Sequence, residues 1–147
     1  MKKNRKNLQQ DGFTLLEVMI VLFILVTLAG LAVVAVTGQQ KEAQRKAAFT
    51  YVHLLKGAMN RYTLDVGRPA DNNEGLGALI NRPADAGTWG GPYLEVSATD
   101  RDPWGNQYQY ASPGKDGRDF DIWSFGPDRM DGTADDIGSW MNELPPN

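Results

Sequence analysis

The chain has no cysteine among its 147 residues. That absence excludes a disulfide scaffold, a thiol nucleophile, thiolate metal ligands and a lipid-modified N-terminal cysteine. It leaves the compartment open, because a cysteine-free chain tolerates oxidising and reducing surroundings alike. Histidine is represented by His53 alone, and it reads as a surface or packing residue. There is no G-x-S-x-G and no phosphate-binding glycine loop, so neither an α/β-hydrolase site nor an NTPase site is expected. Proline is missing from residues 13–66. Basic charge is scarce beyond the first dozen residues. There Lys2, Lys3, Arg5 and Lys6 face Asp11 alone, whereas the remainder holds 11 Lys and Arg against 17 Asp and Glu. An acidic body does not suit non-specific nucleic-acid binding, which depends on neutralising phosphates, so no nucleic-acid partner is expected. With 41% hydrophobic and 22% charged residues, the composition is that of a globular chain.

What the chain has in excess is one apolar run. Residues 13–36 read FTLLEVMIVLFILVTLAGLAVVAV, and residues 18–36 pass 19 positions without a charge. As a helix at about 1.5 Å per residue, the run would cover roughly 36 Å, enough for a bilayer core of about 30 Å. The rival is a cleaved secretory signal, whose apolar region is usually about 7–15 residues and ends in a small-x-small site. This run is longer and no clean A-x-A follows it, so residues 13–38 are expected to be a retained transmembrane helix. The four leading cations favour a cytoplasmic N-terminus. Lys41, Arg45 and Lys46 beyond the run oppose that orientation and are partly offset by Glu42. Glu17 interrupts the apolar pattern. A carboxylate at that depth needs either the interface or a partner from another chain.

The helix is expected to continue to Val66, making residues 13–66 one helix of roughly 80 Å. Ala47, Tyr51, Leu54, Ala58 and Tyr62 recur at helical spacing and predict its buried face. Gly67, Arg68 and Pro69 end it. Residues 72–80 predict a short capped helix, closed by Pro83. Residues 84–101 read as a loop in which Trp89 and Tyr93 serve either packing or contact. Asp102 to Asn106 form a turn by composition. Residues 107–110 and 118–124 alternate polar with apolar side chains and predict two antiparallel strands joined by a turn over 112–117. Residues 142–147 are expected to be an exposed tail.

Residues 126–136 place Asp128, Asp131, Asp135 and Asp136 within a Gly- and Pro-containing loop. Crowded carboxylates repel one another unless a cation neutralises them, and calcium takes six to eight oxygens in flexible geometry. A solvated acidic turn is the other reading of the same residues. The helical calcium-loop pattern is not met. Counted from Asp128, positions five and twelve are Gly132 and Ser139. Counted from Asp131, positions six and twelve are Asp136 and Asn142.

Gly12, Phe13, Thr14, Leu15, Leu16 and Glu17, set after a short basic leader and before the apolar run, resemble the processing signal of type IV pilins and type II secretion pseudopilins. The later blocks extend the likeness over nearly the whole chain, least well over 84–101. They are a helix-ending proline before E-x-G-L-x-A-L, then D-P-W-G-N, S-P-G, F-D-I-x-S, and G-P-D followed by D-D-I-x-x-W. In this order they are similar to the major pseudopilins. Many members carry a proline near the position of Val34; this chain reads Val33, Val34, Ala35.

The resemblance implies an α+β, type IV pilin-like fold. A long N-terminal helix, its first half transmembrane, would pack on a small antiparallel sheet with a C-terminal calcium loop. Residues 1–12 would be a leader, cut between Gly12 and Phe13 by a prepilin peptidase, with N-methylation of the new Phe13 amine. Residues 39–147 would form the extracytoplasmic domain. Glu17 would pair with the Phe13 amine of a neighbouring subunit during assembly, which would offset the burial of both charges. The resemblance also implies calcium held by the side chains of Asp128, Asp135 and Asp136, the carbonyl of Phe125, and carbonyls of Met130 or Thr133. Asp131 receives no role from it. Trp140 is expected beneath the loop.

The function so implied is structural. Copies would form a helical homopolymer, a pseudopilus that helps drive folded proteins across the outer membrane. Minor pseudopilins and an inner-membrane secretion platform would be the partners. The chain would sit in a bacterial inner membrane with a cytoplasmic N-terminus and a periplasmic domain. The alternative is a type IV pilin of a surface filament, although many pilins carry a C-terminal cysteine pair that is absent here. No enzyme activity is expected. Asp119 and Asp121 are the one conceivable carboxylate pair for acid–base work.

Overall fold

The computed structural model describes residues 12–95 and 101–145, without the side chains of residues 30–37. The leader residues 1–11, residues 96–100 of the 84–101 loop and the last two tail residues therefore lie outside the described set. The chain divides into two compact units, Met1–Gln40 and Lys41–Asn147.

Helix α1 spans Leu15–Val66, 52 residues. It starts two residues later than expected because Thr14 caps it. The Glu17 amide donates to Thr14 Oγ1 at 3.2 Å, and the Val18 amide donates to the Thr14 carbonyl at 3.2 Å. Thr14 followed three residues on by Glu17 is the capping-box pattern, and an acid in the first turn favours the helix dipole. The sequence carried this signal in T-L-L-E. The other end stops where Gly67 turns left-handed at φ +87°, its amide donating to the Thr63 carbonyl at 2.8 Å.

In the first unit the large apolar side chains from Phe13 to Leu28 are all 48% exposed or more. No helix among the described residues is long and apolar enough to cross a membrane. Side chains 30–37, which complete the uncharged run, are outside the described set.

In the second unit the core joins Val52, Leu55, Met59 and Tyr62 of α1 to Ala78, Leu79, Tyr108, Phe120 and Ile122. The expected stripe is thus displaced by one residue. Ala47 and Leu54 are exposed, Tyr51 and Ala58 are half-buried, and only Tyr62 is fully buried. Two apolar stripes of nearly equal spacing run side by side on this helix and meet at Tyr62, and the opposing Tyr108, Phe120 and Ile122 select between them. Arg45, at the start of the same face, is also buried.

The short helix is a 3-10 helix, Gly75–Leu79, preceded by a turn. Asp71 caps that turn: its Oδ1 accepts from the Asn73 and Glu74 amides at 2.7 and 2.8 Å, and Glu74 Oε2 accepts from the Asp71 amide at 2.8 Å. The sheet has three strands, β1 (Gln109–Ala111), β2 (Asp121–Ser124) and β3 (Ile137–Gly138), in the order β1-β2-β3 and antiparallel throughout. The two expected strands are present but shorter. Gln107 bridges to Arg101 instead of extending β1. The third strand was not expected, since two residues carry no readable alternation.

Trp89 and Tyr93 are packing residues. The Trp89 indole donates to the Ala78 carbonyl at 2.9 Å, and the Tyr93 ring meets Tyr62 and Trp89 edge-on. The described part of the tail is largely exposed, as expected, and Arg45 ties it down, its Nη2 donating to the Pro145 carbonyl at 2.9 Å.

Candidate functional site

The acidic loop is a connection between paired strands. Ser124 of β2 faces Ile137 of β3, so residues 125–136 are closed at their base by the sheet. A buried relay holds that base. Ser124 Oγ donates to Asp102 Oδ2 at 2.7 Å and accepts from the Gly126 amide at 3.1 Å. Asp102 Oδ1 in turn accepts from the amides of Trp104 and Asn106 at 3.0 and 2.8 Å. The D-P-W-G-N turn is therefore the footing of the loop. Gly126 has φ +72°, and a methyl group on it would collide with the Asp135 carbonyl. The two ends of the loop touch at this glycine.

Within the loop the carboxylates organise the backbone. The Asp128 amide donates to Asp135 Oδ2 at 3.1 Å, and Asp128 Oδ1 accepts from the Met130 amide at 2.8 Å. Thr133 Oγ1 donates to Asp135 Oδ1 at 2.6 Å and lies 3.3 Å from the Met130 carbonyl. The Asp136 amide donates to the Thr133 carbonyl at 3.4 Å. Asp136 Oδ2 accepts from the Gly132 amide at 2.8 Å, but its Oδ1 is buried with no hydrogen-bond partner. Burial raises the Asp136 carboxyl above its ordinary value, and the charges of Asp131, Asp135 and Asp128 add to that despite the Gly132 amide. Burial also works to raise Asp135. There the Thr133 hydroxyl and the Asp128 amide outweigh it and hold the group below its ordinary value.

The structure thus brings Asp128, Met130, Thr133 and Asp135 into one hydrogen-bonded set and places Asp136 beside it through Gly132. Phe125 stands half-buried at the base. Among the described residues, no three acidic or histidine side chains lie close enough together to hold a metal. Asp131, which had no assigned part, is fixed by Trp123, whose Nε1 donates to its Oδ1 at 2.9 Å. Trp140, expected beneath the loop, packs over Gly138, beside the Trp123 ring at 6.4 Å and the Arg118 guanidinium at 5.5 Å. The indole that hydrogen-bonds to a loop carboxylate is that of Trp123.

At the other end of the chain, Gly12 and Phe13 precede the helix. No described atom lies within 4 Å of where a Gly12 side chain would stand, and Phe13 is 83% exposed. Phe13 and Glu17 line one shallow recess with Val18, Val21 and Leu22. Asp119 and Asp121 do not form a free pair. Asp121 is buried and accepts from Arg118 Nε at 2.6 Å and the Lys115 amide at 2.8 Å, whereas Asp119 is exposed.

Comparison with known proteins gives a consistent result. A family model described as type II secretion system protein G matches residues 35–140, and one for the prokaryotic N-terminal methylation motif matches residues 7–33. The type II secretion system core protein G of Aeromonas hydrophila is 42% identical over 144 residues, covering 95% of this chain and 96% of that protein. Its counterpart in Vibrio cholerae is 39% identical over 146 residues, covering 95% and 96%. Among solved structures, the major pseudopilin from the type 2 secretion system of enterohaemorrhagic Escherichia coli is 32% identical. It aligns with a TM-score of 0.59 over 74% of this chain and 93% of that one.

Proposed function

The chain belongs to the type II secretion system protein G family and is a structural subunit of the pseudopilus, and we propose that copies of it polymerise through their N-terminal helices to help drive folded proteins across the outer membrane. The carrying observation is that a methylation motif and a protein G body occur in one chain, in that order, over nearly its full length. The surface-filament pilin is not favoured, because the relatives matched end to end are protein G chains. The family is a structural one, which agrees with the expectation of no enzyme activity.

Processing falls between Gly12 and Phe13. The open backbone at Gly12 suits close approach by a membrane peptidase. Residues 13–38 form the membrane-embedded half of the helix. A helical stretch that exposes every large apolar side chain from Phe13 to Leu28 needs lipid or neighbouring helices around it. Glu17 sits in the first helical turn beside Phe13, where the methylated amine of an adjacent subunit neutralises it. The rest of the chain lies in the periplasm, and minor pseudopilins and the inner-membrane platform are its further partners.

The loop over residues 125–136 takes calcium. The fit rests on Asp136 Oδ1, a buried acceptor left without a donor, within a loop of four aspartates. None of the four is in an ion pair among the described residues. A hard cation with oxygen preference matches that donor set. Asp128, Asp135 and Asp136, which do not stand close enough together in the described structure to hold an ion, would supply carboxylates on drawing in around it, and Phe125 with Met130 or Thr133 would supply carbonyls. The ion's role is to stabilise the folded loop.

The test uses the full chain produced together with a prepilin peptidase. Mass spectrometry should find Phe13 at the N-terminus with a methylated amine. Glu17→Leu should be processed yet yield no filaments. A wild-type chain left uncut would overturn the reading.

A further inference from the structure

We propose that Asp131, held in place by the Trp123 indole, is a fourth charged member of the calcium loop and sets how strongly the loop takes the ion. This rests on the calcium reading above. Asp131 lies in an exposed stretch, yet its carboxylate is fixed: Trp123 Nε1 donates to Oδ1 at 2.9 Å. The donor is mounted on the sheet rather than on the loop. Trp123 belongs to β2, pairs with Gly138 of β3 and has the Trp140 ring beside it. A rigid element therefore sets the position of a loop carboxylate.

The neighbouring residue gives that position its consequence. Gly132, at φ +82°, donates its amide to Asp136 Oδ2. That bond leaves Asp136 Oδ1 buried and unpartnered, on a side chain only 9% exposed. Anchoring Asp131 thus anchors the Gly132 amide, which orients the orphaned oxygen. Asp131 Oδ2 takes no hydrogen bond among the described residues, so its charge is not consumed by a donor. Calcium loops tune affinity through ligand charge and site rigidity. Asp131 adds negative charge beside the ligands, and Trp123 adds rigidity. Asp131 acts from outside the ligand set, as partners that orient metal ligands do.

Calorimetric titration of calcium into the full chain in detergent separates these parts. Asp131→Asn keeps an oxygen for the indole and removes the charge. Trp123→Phe keeps the ring and the charge and removes the donor. Each should weaken calcium binding by about tenfold or more, the usual cost of losing a supporting group around a metal. Asp131→Glu should recover most of the affinity. Melting of Asp131→Asn in chelator should match the wild type, which separates loss of binding from loss of fold. Wild-type affinity in Asp131→Asn would overturn the proposal while leaving the calcium loop standing. A wild-type chain that takes no calcium would overturn the loop reading itself, and this proposal with it.

Discussion

The Arg68 guanidinium grips the Glu74 carboxylate as a two-point fork, Nη1 to Oε2 and Nη2 to Oε1 at 2.7 Å each, and the same Nη2 donates to Asp85 at 2.8 Å. One side chain just past the end of α1 thereby clamps the turn before the 3-10 helix and the loop after it. The Arg68 fork draws the Glu74 pKa from 4.5 down to about 2, against the opposing effect of burial.

The sign of the pH dependence follows. A carboxyl whose folded pKa is depressed adds stability above its unfolded value and loses it as pH falls through the folded one. Unfolding free energy should therefore decline from near pH 4.5 toward pH 2. Glu74→Gln should cost about 1–2 kcal/mol at neutral pH, less than the full shift because Arg68 is partly exposed and water screens the pair. The variant should also lose most of that acid dependence. Urea unfolding at a series of pH values measures both.

The buried face of α1 can be checked by truncation. Val52→Ala and Met59→Ala remove side chains with no solvent exposure and should cost about 2–4 kcal/mol for the larger deletion and less for valine. Leu54→Ala, at a position 48% exposed, should stay within about 0.5 kcal/mol. A larger loss at Leu54 than at Met59 would mean that the expected stripe, not the observed one, faces the core.

Two glycines of the loop separate crowding from backbone strain. Gly126 and Gly132 both have left-handed φ, but only Gly126 lacks space for a methyl group. Gly132→Ala should cost about 1 kcal/mol for the strained conformation alone. Gly126→Ala should cost more, about 2–4 kcal/mol, because the Asp135 backbone must also move. Thermal melting of the two variants orders them.

Removing calcium should lower the melting temperature of the full chain, and Asp135→Ala should abolish the difference between calcium and chelator. Asp136→Asn is the more telling change. Without a cation, Asp136 Oδ1 is a buried charge-bearing atom with no donor, which destabilises the fold. Neutralising it should raise stability in chelator by about 1 kcal/mol and lower it in calcium. The same sign under both conditions would remove the cation from the account.

Much of this was legible in the residues. A proline-free stretch ending at Gly67, Arg68 and Pro69 predicted α1 to within two residues, and the missing two lay in a Thr14 cap whose pattern was present but unused. Tyr110 and Ile122 marked the two longer strands. Ile137 and Gly138 could not announce a strand, because two residues have no period. Trp89 donating to the Ala78 carbonyl depends on chain segments that meet only after folding.

The sequence by itself determined the processing motif, the long helix and the crowding of four aspartates, because each is a local pattern of residue types and spacing. Only the tertiary structure decided which of two equivalent stripes is buried, that Asp102 supports the loop through Ser124, and that Trp123 rather than Trp140 reaches Asp131. The reason is physical. Local periodicity limits which faces a segment can offer, but the choice among them is made by the partners that packing brings from elsewhere in the chain.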